Sequence, residues 1–229
     1  MLDRLELLIG MENIEKIKNT KVLLVGIGGV GGYALESLIR SGIENITIVD
    51  YDKIDVTNLN RQIITLNNNI GNLKVEEAKK RIEQINKNCN LNIIKKKITL
   101  DNFDILNIKE YDYVIDACDT VEIKKQIIRE CLKNNIKFIS SMGTGYKMDP
   151  TKLKIIDVRK TSYDPIAKKI RKMIKDEKLK GKIMVVSSTE AKKVNSKVIA
   201  SNSFVPAISG LMCTSYVIND IVGDKIGSK

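Results

Sequence analysis

KVLLVGIGGVGGYALESLIR, from Lys21 to Arg40, decides the fold. The apolar run Lys21 to Gly26 reads as a buried strand, because β-branched and leucine side chains follow one another with no polar interruption. It breaks into a glycine turn and then into a helical pattern from Val30 to Arg40 that turns Leu35, Leu38 and Ile39 toward a core. The turn Gly26-Ile27-Gly28-Gly29-Val30-Gly31 is a GxGxxG between strand and helix. Glycines there allow a tight turn and let backbone N–H groups approach a phosphate, which the positive end of the helix also attracts. Gly26, Gly28, Gly29 and Gly31 are therefore candidate nucleotide-binding residues. A second strand, Ile46 to Asp50, ends on a carboxylate 24 residues after Gly26, where ribose hydroxyls can donate to it. Turn and acid together predict an adenosine nucleotide. They do not choose between ATP and a nicotinamide dinucleotide, and a tight turn with no ligand is the plain alternative.

Outward from this unit, strands and helices alternate. A helix is predicted near Asn72 to Ile85, strands near Leu91 to Lys96 and at Tyr113 to Asp116, a helix around Glu122 to Leu132, and a strand at Lys137 to Ser141. Gly143 and Gly145 mark a turn, after which the composition shifts. A strand near Leu153 to Val158, a helix from Pro165, a strand at Ile183 to Ser187 and a last helix near Val205 complete the pattern. The fold class is α/β, a Rossmann-like, doubly wound, mostly parallel sheet with an appended basic C-terminal lobe. One domain spans 1–229, divided into a nucleotide-binding half, 1–146, and a basic half, 147–229, that binds substrate and ends in a helix.

Composition narrows the chemistry. The chain has 229 residues, 43% of them hydrophobic, enough for one substantial core. No run of 18 apolar residues and no signal-peptide pattern is seen, so a cytoplasmic protein without integral membrane association is expected. Cys89, Cys118, Cys131 and Cys213 form no CxxC pair, which argues against a zinc ribbon or a disulfide framework. Histidine is absent, which excludes imidazole as base or ligand. Of the net charge of +11, almost all lies between Lys147 and Lys197, where sixteen Lys and Arg face six Asp and Glu. A concentrated positive field suits a polyanion, nucleic acid before membrane.

Beyond the second strand stand Asp52, Asn58, Arg61 and Gln62, then Lys74. Hydride transfer calls for an apolar nicotinamide pocket, whereas phosphate displacement calls for cations on the transferred group and its leaving group. Arg61 and Lys74 supply such cations. Asp116 and Asp119 follow at the end of a strand, the edge where open α/β sheets bind ligands, and Asp119 with a supporting Asp116 suffices for magnesium. Singly, each residue has an ordinary explanation: Asp119 as a helix cap, Arg61 and Lys74 as surface charge. Their order in one chain favours a site.

The motifs GIGGVGG (26–32), IVDYD (48–52), TNLNRQ (57–62), GNLKVE (71–76) and VIDACD (114–119) resemble those of the ubiquitin-activating-like adenylating superfamily, which includes the adenylyltransferases of molybdopterin and thiamin synthesis. The resemblance implies ATP and Mg2+ as cofactors, with Asp50 on the ribose, Asn58 and Arg61 orienting the reacting phosphates, Lys74 contacting them and Asp119 on the metal. Arg4, in RLELLIG, is similar to an N-terminal arginine lent to a dimer partner, which implies a homodimer.

The second half lacks the CxxC pairs of the sulfur-carrier activators. KTSYDPIAKKIR (160–171), SSTE (187–190) and SNSFVPAISGLM (201–212) instead resemble the tRNA threonylcarbamoyladenosine dehydratases. That branch implies adenylation of a threonine carboxylate on tRNA and ring closure, with AMP and pyrophosphate leaving. Adenylation of the C-terminus of a ubiquitin-like sulfur carrier is the alternative. One departure is Ala191-Lys192-Lys193 after Glu190, where relatives are proline-rich.

The residues of this half agree with the resemblance. Asp164 can cap a helix opened by Pro165, with Ile166, Ile170, Met173 and Ile174 as its apolar stripe. Lys168, Lys169, Arg171, Lys172 and Lys175 are its basic residues and the candidates for tRNA, since no aromatic residue anchors the helix in lipid. Cys213 leaves open a sulfur-handling role with a cysteine desulfurase or sulfur-acceptor partner, and a monovalent alkali cation could order the second half.

Overall fold

A computed structural model of the chain describes residues 1–191 and 198–223. Two helices, α1 (Asp3–Ile9) and α2 (Met11–Asn19), precede β1 (Lys21–Val25), α3 (Gly31–Arg40) and β2 (Asn45–Val49). There follow α4 (Lys74–Ile85), β3 (Asn90–Ile94), β4 (Tyr113–Asp116), α5 (Val121–Asn134) and β5 (Lys137–Ser141). The chain continues through β6 (Leu153–Asp157), α6 (Pro165–Asp176), β7 (Met184–Ser188) and α7 (Phe204–Val222). The strands form one seven-stranded sheet in the order β3-β2-β1-β4-β5-β7-β6. All pairings are parallel except that of β6 with β7.

Alternate residues of β1 explain the two layers. Val22 and Leu24 face a core shared with α2, α3, α4 and α7, while Leu23 and Val25 face a core shared with α5, α6 and the turns around Phe103 and Leu106. A parallel strand covered on both faces has no side for polar residues, which is why β1 and β4 read as continuous apolar runs. The strand order reverses between β1 and β4, so the loops leaving their C-terminal ends diverge and open a crevice.

The basic half, 147–229, does not stand apart from the sheet. β7 extends it beyond β5, β6 closes it, and α7 crosses back onto α3 and β5. The border at 146/147 is one of charge and composition. α7 is long and apolar enough in composition to span a membrane. Here it is a core helix, with Val205, Cys213 and Val217 fully buried and Thr214 Oγ1 donating to the Ala34 carbonyl at 2.9 Å. Gly210 permits this crossing: a Cβ there would lie 2.2 Å from the Val30 carbonyl oxygen.

The helices α1 and α2 lie outside the sequence reading, which took from residues 1–20 only Arg4. α2 buries just Ile14 and Ile17, too short a stripe to register as periodicity. Of the unusual Ala191-Lys192-Lys193 loop, Lys192 and Lys193 lie outside the described residues.

Candidate active site

A cavity of about 420 Å³ opens at the C-terminal edge of the sheet. It gathers Gly26, Gly28, Gly29, Asp50, Asp52, Asn58, Arg61, Gln62, Lys74 and Asp119, ten of the sequence candidates, in one place.

The glycine turn is dictated by contact. Gly26 has φ of +93°, and a Cβ on it would sit 2.8 Å from the Ala117 carbonyl oxygen; a Cβ on Gly31 would lie 1.8 Å from the Gly26 oxygen. Gly31 thus shapes the turn from beneath rather than lining the cavity. Asp50 holds the turn from the other side: Oδ2 accepts the Ile27 N–H at 2.7 Å and Oδ1 the Asp52 N–H at 2.9 Å. Each carboxylate oxygen has a second lone pair, so ribose hydroxyls can be added without breaking either bond.

Cations lie along the segment after β2. Asn58 closes a tight 3-10 turn in which its Oδ1 accepts the Asp55 N–H at 3.1 Å. Arg61 is steadied through Nη1, which donates to the Thr57 carbonyl at 2.8 Å and to Asn60 Oδ1 at 2.9 Å. Its aliphatic stem packs on Gly29, where a Cβ would come within 3.4 Å of Arg61 Cγ. Lys74 opens α4 and is almost buried, its Nζ 2.7 Å from Asp52 Oδ2. A lysine at a helix N-terminus adds its charge to that of the unpaired N–H groups, a site that attracts anions. Gln62 is 7% exposed and its Oε1 has no partner among the described residues.

The two acidic candidates separate. Asp119 is exposed at the cavity, touched only weakly by Thr120 Oγ1 at 3.4 Å. Asp116 is 0% exposed and does not line the cavity. Its Oδ2 takes Lys124 Nζ at 2.7 Å and Ser140 Oγ at 2.5 Å, which removes it as the supporting magnesium ligand expected from the sequence. Arg4 is exposed on α1 and outside the cavity of its own chain.

α6 begins at the same opening. Asp164 caps it, accepting the Ala167 N–H at 2.8 Å on Oδ1, and with Oδ2 it accepts the Gly143 N–H at 2.9 Å, tying the helix to the loop after β5. Gly143, Thr144, Gly145 and Ile166 line the cavity. Lys168, Lys169, Lys172 and Lys175 are exposed. Arg171 differs, because its Nη1 donates to the Thr161 carbonyl at 3.1 Å and to the Thr161 hydroxyl, anchoring α6.

Several lining residues escaped the sequence reading. Lys96 and Lys97 reach the cavity from the end of β3, with Lys97 Nζ 5.5 Å from the centre of the Tyr51 ring. Their signal was available: a lysine run at the C-terminal end of a predicted parallel strand. Ile199 and Pro206 join from residues far along the chain, where no local pattern could announce them.

The thiols are poor nucleophiles. Burial pushes Cys213 up to about 12 and Cys89 up to about 11, and it raises Cys131 as well. Cys118 lines the cavity, yet burial and then the Asp116 carboxylate, 3.0 Å from Sγ, hold its thiol well above the ordinary range. A thiolate is the reactive form, so covalent relay through these residues is disfavoured near neutral pH. Cys118→Ser and Cys213→Ala are expected to retain turnover measured as pyrophosphate release; an inactive folded variant of either would restore thiol chemistry.

Comparison with known proteins agrees with this geometry. The tRNA threonylcarbamoyladenosine dehydratase of Bacillus subtilis (strain 168) is 38% identical over 239 residues, covering 96% of this chain and 94% of that protein. The protein of the same name from Escherichia coli (strain K12) is 37% identical over 90% of this chain and 75% of its own length. The crystal structure of the E. coli tRNA N6-threonylcarbamoyladenosine dehydratase in complex with ATP superposes with a TM-score of 0.89 at 35% identity, covering 96% of this chain and 93% of that one. Residues 2–225 match the model of the ThiF family. With that match across nearly its whole length, and a glycine turn, Asp50, Arg61 and Lys74 assembled at one sheet edge, the chain belongs to the ThiF family.

Proposed function

We propose that the chain uses ATP to adenylate the threonine carboxylate of threonylcarbamoyladenosine in tRNA, so that the neighbouring carbamoyl group displaces AMP and closes a ring with net loss of water. The observation that carries this reading is the convergence of Arg61, Lys74 and Asp119 with the glycine turn on one cavity, in a chain similar to dehydratases across 90% or more of its length. The carboxylate is already ionised at neutral pH and attacks the α-phosphorus without a base, which suits a chain with no histidine. Negative charge then grows on the departing pyrophosphate, where Arg61 and Lys74 offset it. Asp50 holds the ribose, Asp52 steadies Lys74, and Asn58 keeps the turn that presents Arg61.

Magnesium fits the donor set. Among the described residues no group of three or more acidic or sulfur side chains could cage an ion. Asp119 with nucleotide oxygens and water is the arrangement this cation favours, and when bound it neutralises phosphate charge. An alkali cation ordering the second half would act beside the bonds Glu190 already makes: its carboxylate accepts the Met148 and Asp149 N–H groups at 2.9 Å and its carbonyl accepts Lys147 Nζ.

A homodimer is supported by Arg4 on α1 beside Leu7 and Leu8, which are 89% and 80% exposed. Contiguous exposed apolar residues suit association, and the partner's cavity is where the arginine would act. A desulfurase partner finds no fully exposed thiol among the four cysteines. Sulfur-carrier activation is the weaker reading, since the chain has no CxxC pair. A tRNA substrate supports a cytoplasmic location.

Phosphate contacts are assigned to the exposed lysines of α6. Replacing Lys168, Lys172 and Lys175 with alanine is expected to weaken tRNA binding and to flatten the dependence of log K on log salt by about 2, at roughly 0.7–0.9 per phosphate contact. ATP affinity should not change. Binding assays across a salt series check this, and an unaltered slope would remove α6 from the interface.

The function is tested by giving the protein ATP, Mg2+ and threonylcarbamoylated tRNA. AMP, pyrophosphate and a cyclised base are expected. Release of neither AMP nor pyrophosphate would overturn the reading.

A further inference from the structure

Lys124 is a wholly buried charge that the adenylation chemistry leaves unused. On α5, it is 0% exposed, and all three ammonium protons are engaged: Asp116 Oδ2 at 2.7 Å, Ser140 Oγ at 3.1 Å and the Ser141 carbonyl at 3.0 Å. Burial alone would lower its pKa; the adjoining Asp116 carboxylate outweighs this and holds it above the ordinary lysine value. The lysine therefore stays charged in the interior.

Such a pair is a poor device for stability. Desolvating both ions costs as much as their attraction returns, and apolar residues of the same volume often do as well or better. Its position suggests what it does instead. The second oxygen of Asp116 accepts the Cys118 N–H at 3.2 Å and the Cys118 thiol at 3.0 Å, fixing the turn that delivers Asp119 to the cavity. The backbone N–H of Lys124 donates to the Thr120 carbonyl at 3.0 Å, holding the far end of the same turn. On the other side, Ser141 begins the stretch through Gly145 that forms the opposite lip of the cavity, next to α6. One ammonium group thus ties the lip bearing Asp119 to the lip facing the basic helix.

We infer that Lys124, acting through Asp116, Ser140 and Ser141, is a positioning residue that sets the spacing between the nucleotide side and the acceptor side of the cavity. The inference rests on the adenylation reading above. In-line attack needs the carboxylate oxygen and the α-phosphorus in near contact, and a misplacement of about 1 Å can cost roughly 10²-fold in rate. Neither lip touches the other through its own backbone ladder at this point, because β4 and β5 pair only as far as Asp116 and Ser140.

The test is the double variant Asp116→Asn with Lys124→Met, which removes both charges together and leaves neither unpaired. Its thermal midpoint is expected to stay near that of the unaltered protein, and its ATP affinity by calorimetry within about threefold, while kcat for pyrophosphate release falls roughly 10- to 100-fold. A pair with no positioning role would leave kcat per folded molecule alone whatever the midpoint does, so a folded double variant with normal kcat overturns the inference. Ser140→Ala carries the same test with little repacking: kcat is expected to drop roughly fivefold at constant ATP affinity. Normal kcat in that folded variant would equally count against the role. Failure of the unaltered protein to release pyrophosphate at all would refute the adenylation reading, and is told apart by that control.

Discussion

Arg61→Ala is expected to lower kcat for tRNA-dependent pyrophosphate release by about 10²-fold or more while changing ATP affinity far less. The asymmetry follows from how the side chain is held. Arg61 is fixed through its stem on Gly29 and through Nη1 on Thr57 and Asn60, so its orientation exists before nucleotide arrives. A preorganised cation gains most from charge that appears only as the α–β linkage breaks, because no reorganisation is needed at that moment. Lys74 serves less steeply, since Asp52 already offsets part of its charge across 2.7 Å. Arg61→Lys should recover only part of the loss: an ammonium cannot satisfy the Thr57 and Asn60 acceptors and the phosphate with the fixed fork of a guanidinium. Calorimetry for ATP alongside single-turnover pyrophosphate release separates the two effects. Near-normal kcat in Arg61→Ala would dissolve the proposed site.

What the sequence made visible was what neighbours along the chain decide. Strand, glycine turn and helix between Lys21 and Arg40 are set by residues within a few positions of each other, as is the start of α6 at Asp164 and Pro165. Asp50 was legible because it ends the next parallel strand over, and its bond to the Ile27 N–H shows why an acid belongs there even before ribose. The difference between Asp116 and Asp119 was not legible. It depends on Lys124, one turn into a helix whose lysines all look like surface charge, and on Ser140 from the adjacent strand. Lys124 and Lys125 stand side by side in sequence, yet the first is sealed in the interior and the second pairs at the surface with Glu122 at 2.9 Å. The anchoring contact of Arg171 was hidden in the same way, since its partner Thr161 lies ten residues upstream in a loop with no periodic signal. The N-terminal helices were lost for a different reason: α2 packs on α7, at the far end of the chain, and α1 packs on α2.

Asp119 and Asp116 are expected to fail differently, and the contrast is the sharpest check on the site. Asp119→Asn leaves an exposed side chain of the same shape, so stability should hold within about 0.5 kcal/mol. Turnover should nonetheless fall by about 10²-fold, because a neutral amide is a poor ligand for magnesium and the phosphate charge is no longer fully offset. The Mg2+ concentration for half-maximal activity should rise in step, while binding of ATP without the metal stays as it was. Asp116→Asn acts on stability first and on turnover only through the turn it braces: it strands the Lys124 ammonium in a dry interior, which costs about 3–5 kcal/mol and should lower the thermal midpoint by roughly 10 °C. Three residues apart on one turn, one carboxylate faces the cavity, where it is proposed to hold magnesium, and the other faces the core, where it ties the turn to Lys124. Thermal unfolding and a magnesium titration on both variants measure the division. Were Asp119→Asn to keep normal turnover and an unshifted magnesium response, the phosphate charge would have to be offset by Arg61, Lys74 and neighbouring lysines without a protein-held ion, and the assignment of Asp119 would be withdrawn.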